Sequence, residues 1–150
     1  MAFERTKKLF NALIILDETK IINSILQNKD FQKFIISLNQ NDQLFDEGID
    51  SLGVSLGEYS DFTKVKKLAD GQRFDHITLL DTGGFYKSFV VTASNGGFTM
   101  TADPVKDDSN LFDDFGVEIV GLTKENLQIV INAIREKLLT KIREQINLAA

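Results

Sequence analysis

Apolar residues recur at helical spacing toward both ends of the chain. Leu9, Leu13 and Leu16, followed by Ile21, Ile22, Ile25 and Leu26, predict one helix from Phe3 to Gln27, with a kink allowed at the polar Asp17-Glu18-Thr19. Asp30 is placed to cap a second helix, whose stripe is Phe31, Phe34, Ile35, Leu38 and Phe45 and whose end falls near Glu47-Gly48. Glycines at 48, 53 and 57 break the period, so a loop with extended pieces is expected there. Ser60 can cap a short third helix bearing Phe62, Val65, Lys66, Lys67 and Leu68, with Gly71 as its stop. After a loop from Gln72 to Leu80 comes Asp81-Thr82-Gly83-Gly84, read as a turn with Asp81 or Thr82 capping one helical turn, Phe85 to Ser88.

The pattern then switches period. Phe89 to Thr92 and Phe98 to Thr101 are β-prone runs around Asn95-Gly96, a strong hairpin signal. Asp103 to Glu118 reads as a long exposed loop holding the single proline, Pro104, and Glu118 to Gly121 as a short third strand. Thr123 caps a final helix of about 20 residues or more, with Leu127, Ile131, Ile134, Leu138, Ile142 and Ile146 on one face. The expected class is α+β: long N- and C-terminal helices packed on a small antiparallel sheet built around the hairpin. One domain over 1–150 is expected, with a helical part at 1–47, a loop and short helix at 48–80, and an α+β core at 81–150.

Composition narrows the function classes. The chain has no cysteine, so disulfides, zinc-thiolate sites and thiol nucleophiles are excluded. Seventeen basic residues against 22 acidic ones give a net charge of −5, unlike a protein held by phosphate contacts. The excess is local: between 101 and 118 stand six acidic residues and one basic, and the remainder holds 16 of each. The longest apolar run, Ala12 to Leu16, is far short of the roughly 20 residues a membrane span needs, and no secretory leader is expected.

Three chemical readings can be weighed on particular residues. Leu79-Leu80-Asp81-Thr82-Gly83 matches the signature of homodimeric retroviral-type aspartic proteases, in which two carboxylates share a proton, but those enzymes are almost entirely β. His76 is the sole histidine and lacks an evident nucleophile partner, so a structural or solvated role is expected, with no catalytic residue, metal site or cofactor. Asp103, Asp107, Asp108, Asp113 and Asp114 do not follow an EF-hand spacing and read as a hydrated, self-repelling loop.

The order of features carries a resemblance. Leu80-Asp81-Thr82-Gly83, Ser88, a hairpin, Phe112 and Phe115-Gly116, then Gly121-Leu122-Thr123 opening a long helix resembles the neck and tail-completion proteins of tailed bacteriophages. It covers about residues 78 to 148. Upstream, Leu44 to Asp50 and Leu56 to Ser60 look like the segment that precedes the same turn in relatives from phages of Bacteroides-type hosts. Val117-Glu118-Ile119-Val120 stands where the family has Arg-Pro-Phe, and Asp113-Asp114 where it has His or Tyr.

The resemblance implies a non-enzymatic virion protein, assembled in the host cytoplasm into a cyclic ring, sixfold or twelvefold, bound to portal and other neck or tail proteins. DNA would pass through it without specific contacts, and no membrane would be involved. It also implies that the acidic loop lines the channel or a subunit junction, and that Phe112, Phe115 and Gly116 make packing contacts. The alternatives kept beside it are the Asp81 protease and a soluble adaptor using its terminal helix as a partner surface.

Overall fold

The computed structural model describes residues 2–107 and 109–149, with side chains for 3–11, 16–107 and 109–147. Helices α1 (Ala2–Ile15), α2 (Glu18–Gln27) and α3 (Lys29–Ser37) open the chain, and α3 runs directly into a π-helix, Leu38–Glu47. Helix α4 (Asp61–Ala69) and a single turn, α5 (Gly84–Lys87), precede strands β1 (Val90–Ser94) and β2 (Gly97–Thr101). A second small ribbon, β3 (Val105–Lys106) with β4 (Ser109–Asn110), leads into α6 (Leu111–Phe115), a 3-10 turn at Val117–Ile119 and the 26-residue α7 (Lys124–Ala149). The architecture is the expected α+β one, with two separate two-stranded antiparallel sheets. None of the described helices is long and apolar enough to cross a membrane.

Side-chain chemistry accounts for the boundaries that periodicity misplaced. The expected helix 3–27 is two helices, because the Asp17 carboxylate accepts the Lys20 amide and starts α2 afresh. Asp30 is not the cap of α3. Asn28 is, its amide oxygen taking the Phe31 N–H at 3.0 Å. Ser60 caps α4 and Thr123 caps α7, as their positions suggest. The hairpin closes on Asn95 and Gly96, both at positive φ, with Val91 opposite Met100.

Two expectations for 103–121 fail. The segment is not one exposed loop, since the β3–β4 ribbon and α6 organise it and Leu111 is buried. No strand forms at 118–121 either: the chain tightens into the 3-10 turn, which drives Ile119 to zero exposure. Two of the face residues expected on α7 also point outward, for Leu127 and Ile131 are about two-fifths exposed while Val130 is fully buried. The inward line is Asn126, Val130, Ile134, Leu138 and Ile142, which follows the expected face at Ile134, Leu138 and Ile142 and departs from it by one residue before them.

The core divides into two clusters. The first joins Ile21, Ile25, Leu26, Phe31, Ile35, Leu38, Val91 and Val130, packing α2 and α3 between α7 and the hairpin. The second joins Leu44, Phe85, Phe89, Leu111 and Ile119. Ile36 and Met100 touch both.

Between them lies a layer of buried amides supplied by the π-helix. Asn39 donates to the carbonyls of Ile119 and Gly121, at 3.2 and 2.6 Å. Gln43 donates to the Gly121 carbonyl and accepts from the Thr123 N–H and the Asn126 amide, all within 3.0 Å. The wider π-helical turn brings both side chains to the inner face, where they satisfy the backbone that the 3-10 turn and the start of α7 leave unpaired.

Candidate functional site

The Asp81–Gly84 turn is where most of the sequence signals meet, and its position is set from upstream. Thr78 is buried and held by two tyrosines: its N–H donates to the Tyr59 hydroxyl, and its carbonyl accepts the Tyr86 hydroxyl at 2.6 Å. Burial pushes the Tyr86 phenol well above its ordinary pKa, so it stays a donor. Leu79 follows at φ 56°, a left-handed conformation that an L-residue adopts only when its neighbours fix it. Leu80 then offers its carbonyl to the Lys67 ammonium at 2.8 Å.

Lys67 is the side chain that sequence reading missed. It is 6% exposed, bonded also to Gln72, and lies over the Tyr59 ring at 4.8 Å. Its burial turns α4 inside out. Phe62, Val65 and Leu68, the large apolar residues of that helix, are 83%, 68% and 61% exposed. The only signal available was the tyrosine, since an ammonium can enter a protein interior where a ring face and carbonyls replace water.

Asp81 and Thr82 do not cap α5. Gly83 occupies that position at φ 85°, and no side chain takes up the first amides. Asp81 instead binds Lys106 at 2.6 Å, tying the turn to the β3–β4 ribbon. That hydrogen bond is the main reason its carboxyl sits below the usual range, with the charges of Lys106, Lys67 and Lys66 adding to it. A carboxylate so held is poorly suited to sharing a proton with a second one. The irregular segment before it and the helical turn after it also lack the strands of the aspartic proteases.

Three recesses converge on this turn. The largest, about 330 Å³, lies between α4 and α6 and is floored by Phe62, Leu79, Leu80, Leu111 and Phe115. Another of about 310 Å³ adjoins Phe45 and Arg73, and one of about 230 Å³ adjoins Val105 and Lys106.

The acidic residues do not gather into one site. The Asp103 carboxylate accepts the Val105 N–H, Asp107 turns the ribbon at φ 47°, and Asp113 and Asp114 are exposed on α6. Asp108 lies outside the described residues. Among the described residues no three His, Asp or Glu side chains are grouped to hold a metal ion. Phe112 and Phe115 pack half-buried against the second cluster, and the Gly116 N–H closes α6 on the Phe112 carbonyl. Ser88 links the two regions, its hydroxyl donating to Phe85 and accepting from the Asp103 N–H at 2.9 Å.

His76 is bonded through both ring nitrogens. One ring nitrogen meets the Asp75 carboxylate at 3.0 Å and the other the Phe45 carbonyl at 2.8 Å, so neither is free for substrate. Arg73 grips the same carboxylate through two nitrogens and also reaches Asp46. Those hydrogen bonds lower the Asp75 pKa to about 2.

Charge is divided more sharply than the sequence count implied. Segments 2–33 and 135–149, which form the helical end, carry ten basic and six acidic residues. Segments 38–60 and 103–118, packed around the second cluster, carry one basic and eleven acidic. The acidic loop is thus half of an acidic pole, and the rest of the chain is not evenly neutral. Comparison of the chain with protein-family models, with curated proteins and with solved structures finds no match.

Proposed function

We propose that this chain is a structural, non-catalytic subunit of a ring in the head-tail connector or upper tail of a tailed bacteriophage. The observation that carries the reading is spatial. The ordered features of the resemblance, namely the Asp81 turn, α5 with Ser88, Phe112 with Phe115-Gly116, and the Gly121-Leu122-Thr123 start of α7, lie around the second cluster and its amide layer, and the hairpin that follows Ser88 packs on the first cluster and reaches the second through Met100. That placement leaves Asp81 fixed to Lys106 and His76 bonded on both nitrogens, an arrangement suited to holding loops in place.

Surface area supports an assembling subunit. A folded monomer of 16.8 kDa exposes about 7,700 Å² by the usual mass scaling, whereas this chain exposes 9711 Å². A ring subunit has two contact faces, and standard interfaces bury about 800 Å² on each.

Mass photometry of the purified chain and cryo-EM of particles made in its presence test the reading. Closed rings of one fixed order, seated between capsid and tail, are expected. A chain that is monomeric at all concentrations and missing from particles overturns it.

A further inference from the structure

Helix α4 carries an apolar face that no element of its own chain covers. Lys67 is buried and Thr63 and Lys64 are half-buried, so these three mark the inward side. At about 100° per residue, the exposed Phe62, Val65 and Ala69 line up on the opposite side with the exposed Leu68 beside them. Val65 and Leu68 turn away from the recess between α4 and α6, to which this helix contributes Phe62, Thr63, Lys66, Lys67 and Asp70.

The steps from 62 to 65 to 69 are those between the a and d positions of one heptad. Charge borders this seam on both edges, with Asp61 on the side of Leu68 and Lys66 on the other. Both are exposed, and neither forms an ion pair among the described residues. The other two lysines of α4 are engaged, Lys64 by Glu58 at 2.6 Å and Lys67 by Gln72 and the Leu80 carbonyl.

We propose that α4 pairs with α4 of a second copy, the two helices running parallel about a twofold axis. Phe62, Val65 and Ala69 then each meet their own counterpart. The axis also crosses the edges, so that Asp61 of each chain faces Lys66 of the other, as the flanking g and e positions of parallel helices do. Turning one helix end for end would keep like edges together and set Lys66 against Lys66.

The face therefore matches itself, which is what an isologous contact requires and what commits it to a second copy. Local charge permits the approach. Segment 61–80 carries four basic and three acidic residues, whereas segments 38–60 and 103–118 at the same end carry one and eleven. Area agrees as well: the chain exposes 9711 Å², about 2,000 Å² above the mass scaling, and a standard pair covers about 800 Å² on each copy.

The experiment uses the full chain, which has no native cysteine. Phe62→Cys, Val65→Cys and Ala69→Cys, made one at a time, are each expected to give a disulfide-linked dimer under mild oxidation, since each residue stands opposite its own copy. Helices paired end for end would instead link a Phe62→Cys chain to an Ala69→Cys chain. Added to Val65→Cys, Asp61→Lys places like charges across the seam and is expected to cut the linked fraction about tenfold. Lys66→Asp alone should do the same, and the two charge changes together, in one chain or mixed between two, should bring the linkage back. Circular dichroism checks that each variant stays folded, and rescue by the second charge shows it independently.

A failure to self-link at one or more of the three positions, or a linked fraction indifferent to the charge changes, overturns the pair. The contact closes on two copies and leaves the head-to-tail faces of a ring unused, so it does not depend on the connector reading. Self-linked dimers of a protein that is missing from virions uphold the pair and remove that reading; virion rings built from chains that never self-link do the reverse.

Discussion

The two core clusters are built by different means. In the first, α2 and α3 present isoleucine, leucine and phenylalanine at helical spacing to α7 and the hairpin, and Leu26, Ile35 and Val130 reach zero exposure by apolar packing. In the second, the π-helix, the single turn α5, the short α6 and the 3-10 turn converge on Phe85, Phe89 and Ile119, with rings of Phe85 and Phe89 edge to face at 5.0 Å. What organises those segments is polar: Gln43 and Asn39 to the 119–123 corner, Tyr59 and Tyr86 to Thr78, Lys67 to Leu80. The comparison teaches that the helical end is specified by repeating pattern, whereas the acidic end is specified by individual side chains that each replace a missing backbone partner.

Removing one such side chain tests that distinction most strongly. Gln43→Ala leaves the Thr123 N–H without a partner inside a buried layer and removes one of the two bonds made by the Asn126 amide and by the Gly121 carbonyl, which keep Leu38 and Asn39. At roughly 1 to 3 kcal/mol for the one unsatisfied buried group and about 0.5 to 1 kcal/mol for each of the two other lost hydrogen bonds, a loss of about 3 kcal/mol is expected in denaturant unfolding. Hydrogen exchange should rise first at 38–56 and 111–123 and leave α2 and α3 protected. Equal loss of protection in both clusters would erase the division drawn between them.

A backbone position offers a somewhat smaller effect. Gly48 ends the π-helix at φ 64°, and a Cβ there would stand 2.4 Å from the His76 ring carbon Cδ2. Gly48→Ala therefore combines left-handed strain of about 1 to 2 kcal/mol with displacement of His76 from the Phe45 carbonyl. A destabilisation of about 2 kcal/mol is expected by thermal or urea unfolding. An unchanged midpoint would mean that the histidine contact does not fix this corner.

These contrasts explain what was legible in the sequence. Periodicity located α2, α3, α4 and α7, and Asn95-Gly96 located the hairpin, because each signal is local. The Ser60 and Thr123 caps were readable for the same reason. The π-helix was hidden, since Leu38, Leu44 and Phe45 also satisfy an ordinary helical stripe and only the long-range pairing of Asn39 and Gln43 reveals the wider turn. Ile119 looked like a strand residue in Glu118-Ile119-Val120-Gly121, because β-branched composition cannot tell a strand from a buried 3-10 turn. At the site the turn at 81–84 was visible, but its ties were not: Lys106 is 25 residues from Asp81, and nothing in α4 alone announces that Lys67, and not Phe62, points inward.

Asp81→Ala separates a cap from a tether. A capping carboxylate would be worth about 1 kcal/mol to its helix, but Asp81 holds a partly exposed Lys106 instead. Such pairs contribute roughly 0.2 to 1 kcal/mol, and screening trims that further. The expected loss is therefore about 0.5 kcal/mol, shrinking in high salt, with faster exchange in the β3–β4 ribbon and unchanged exchange in α5. A salt-independent loss confined to α5 would restore the capping role.

The finest distinction is the response to acid. Asp75 has its carboxyl lowered to about 2 from the usual 3.8, chiefly by the Arg73 hydrogen bonds. A carboxylate depressed in the folded state binds fewer protons there than when unfolded, so the stability it lends is complete above about pH 4 and disappears as pH falls toward 2. Because Asp75 is on the surface, solvent screening keeps the effect small, and it should register as a decline of the melting temperature between pH 4 and 2 that Asp75→Asn flattens. The buried residues of the first cluster are all apolar, so hydrogen exchange through this window should quicken around 45–49 and 73–78 before it changes in α2 or α3. Simultaneous loosening of both regions would place the acid response elsewhere than in the Arg73–Asp75–His76 group.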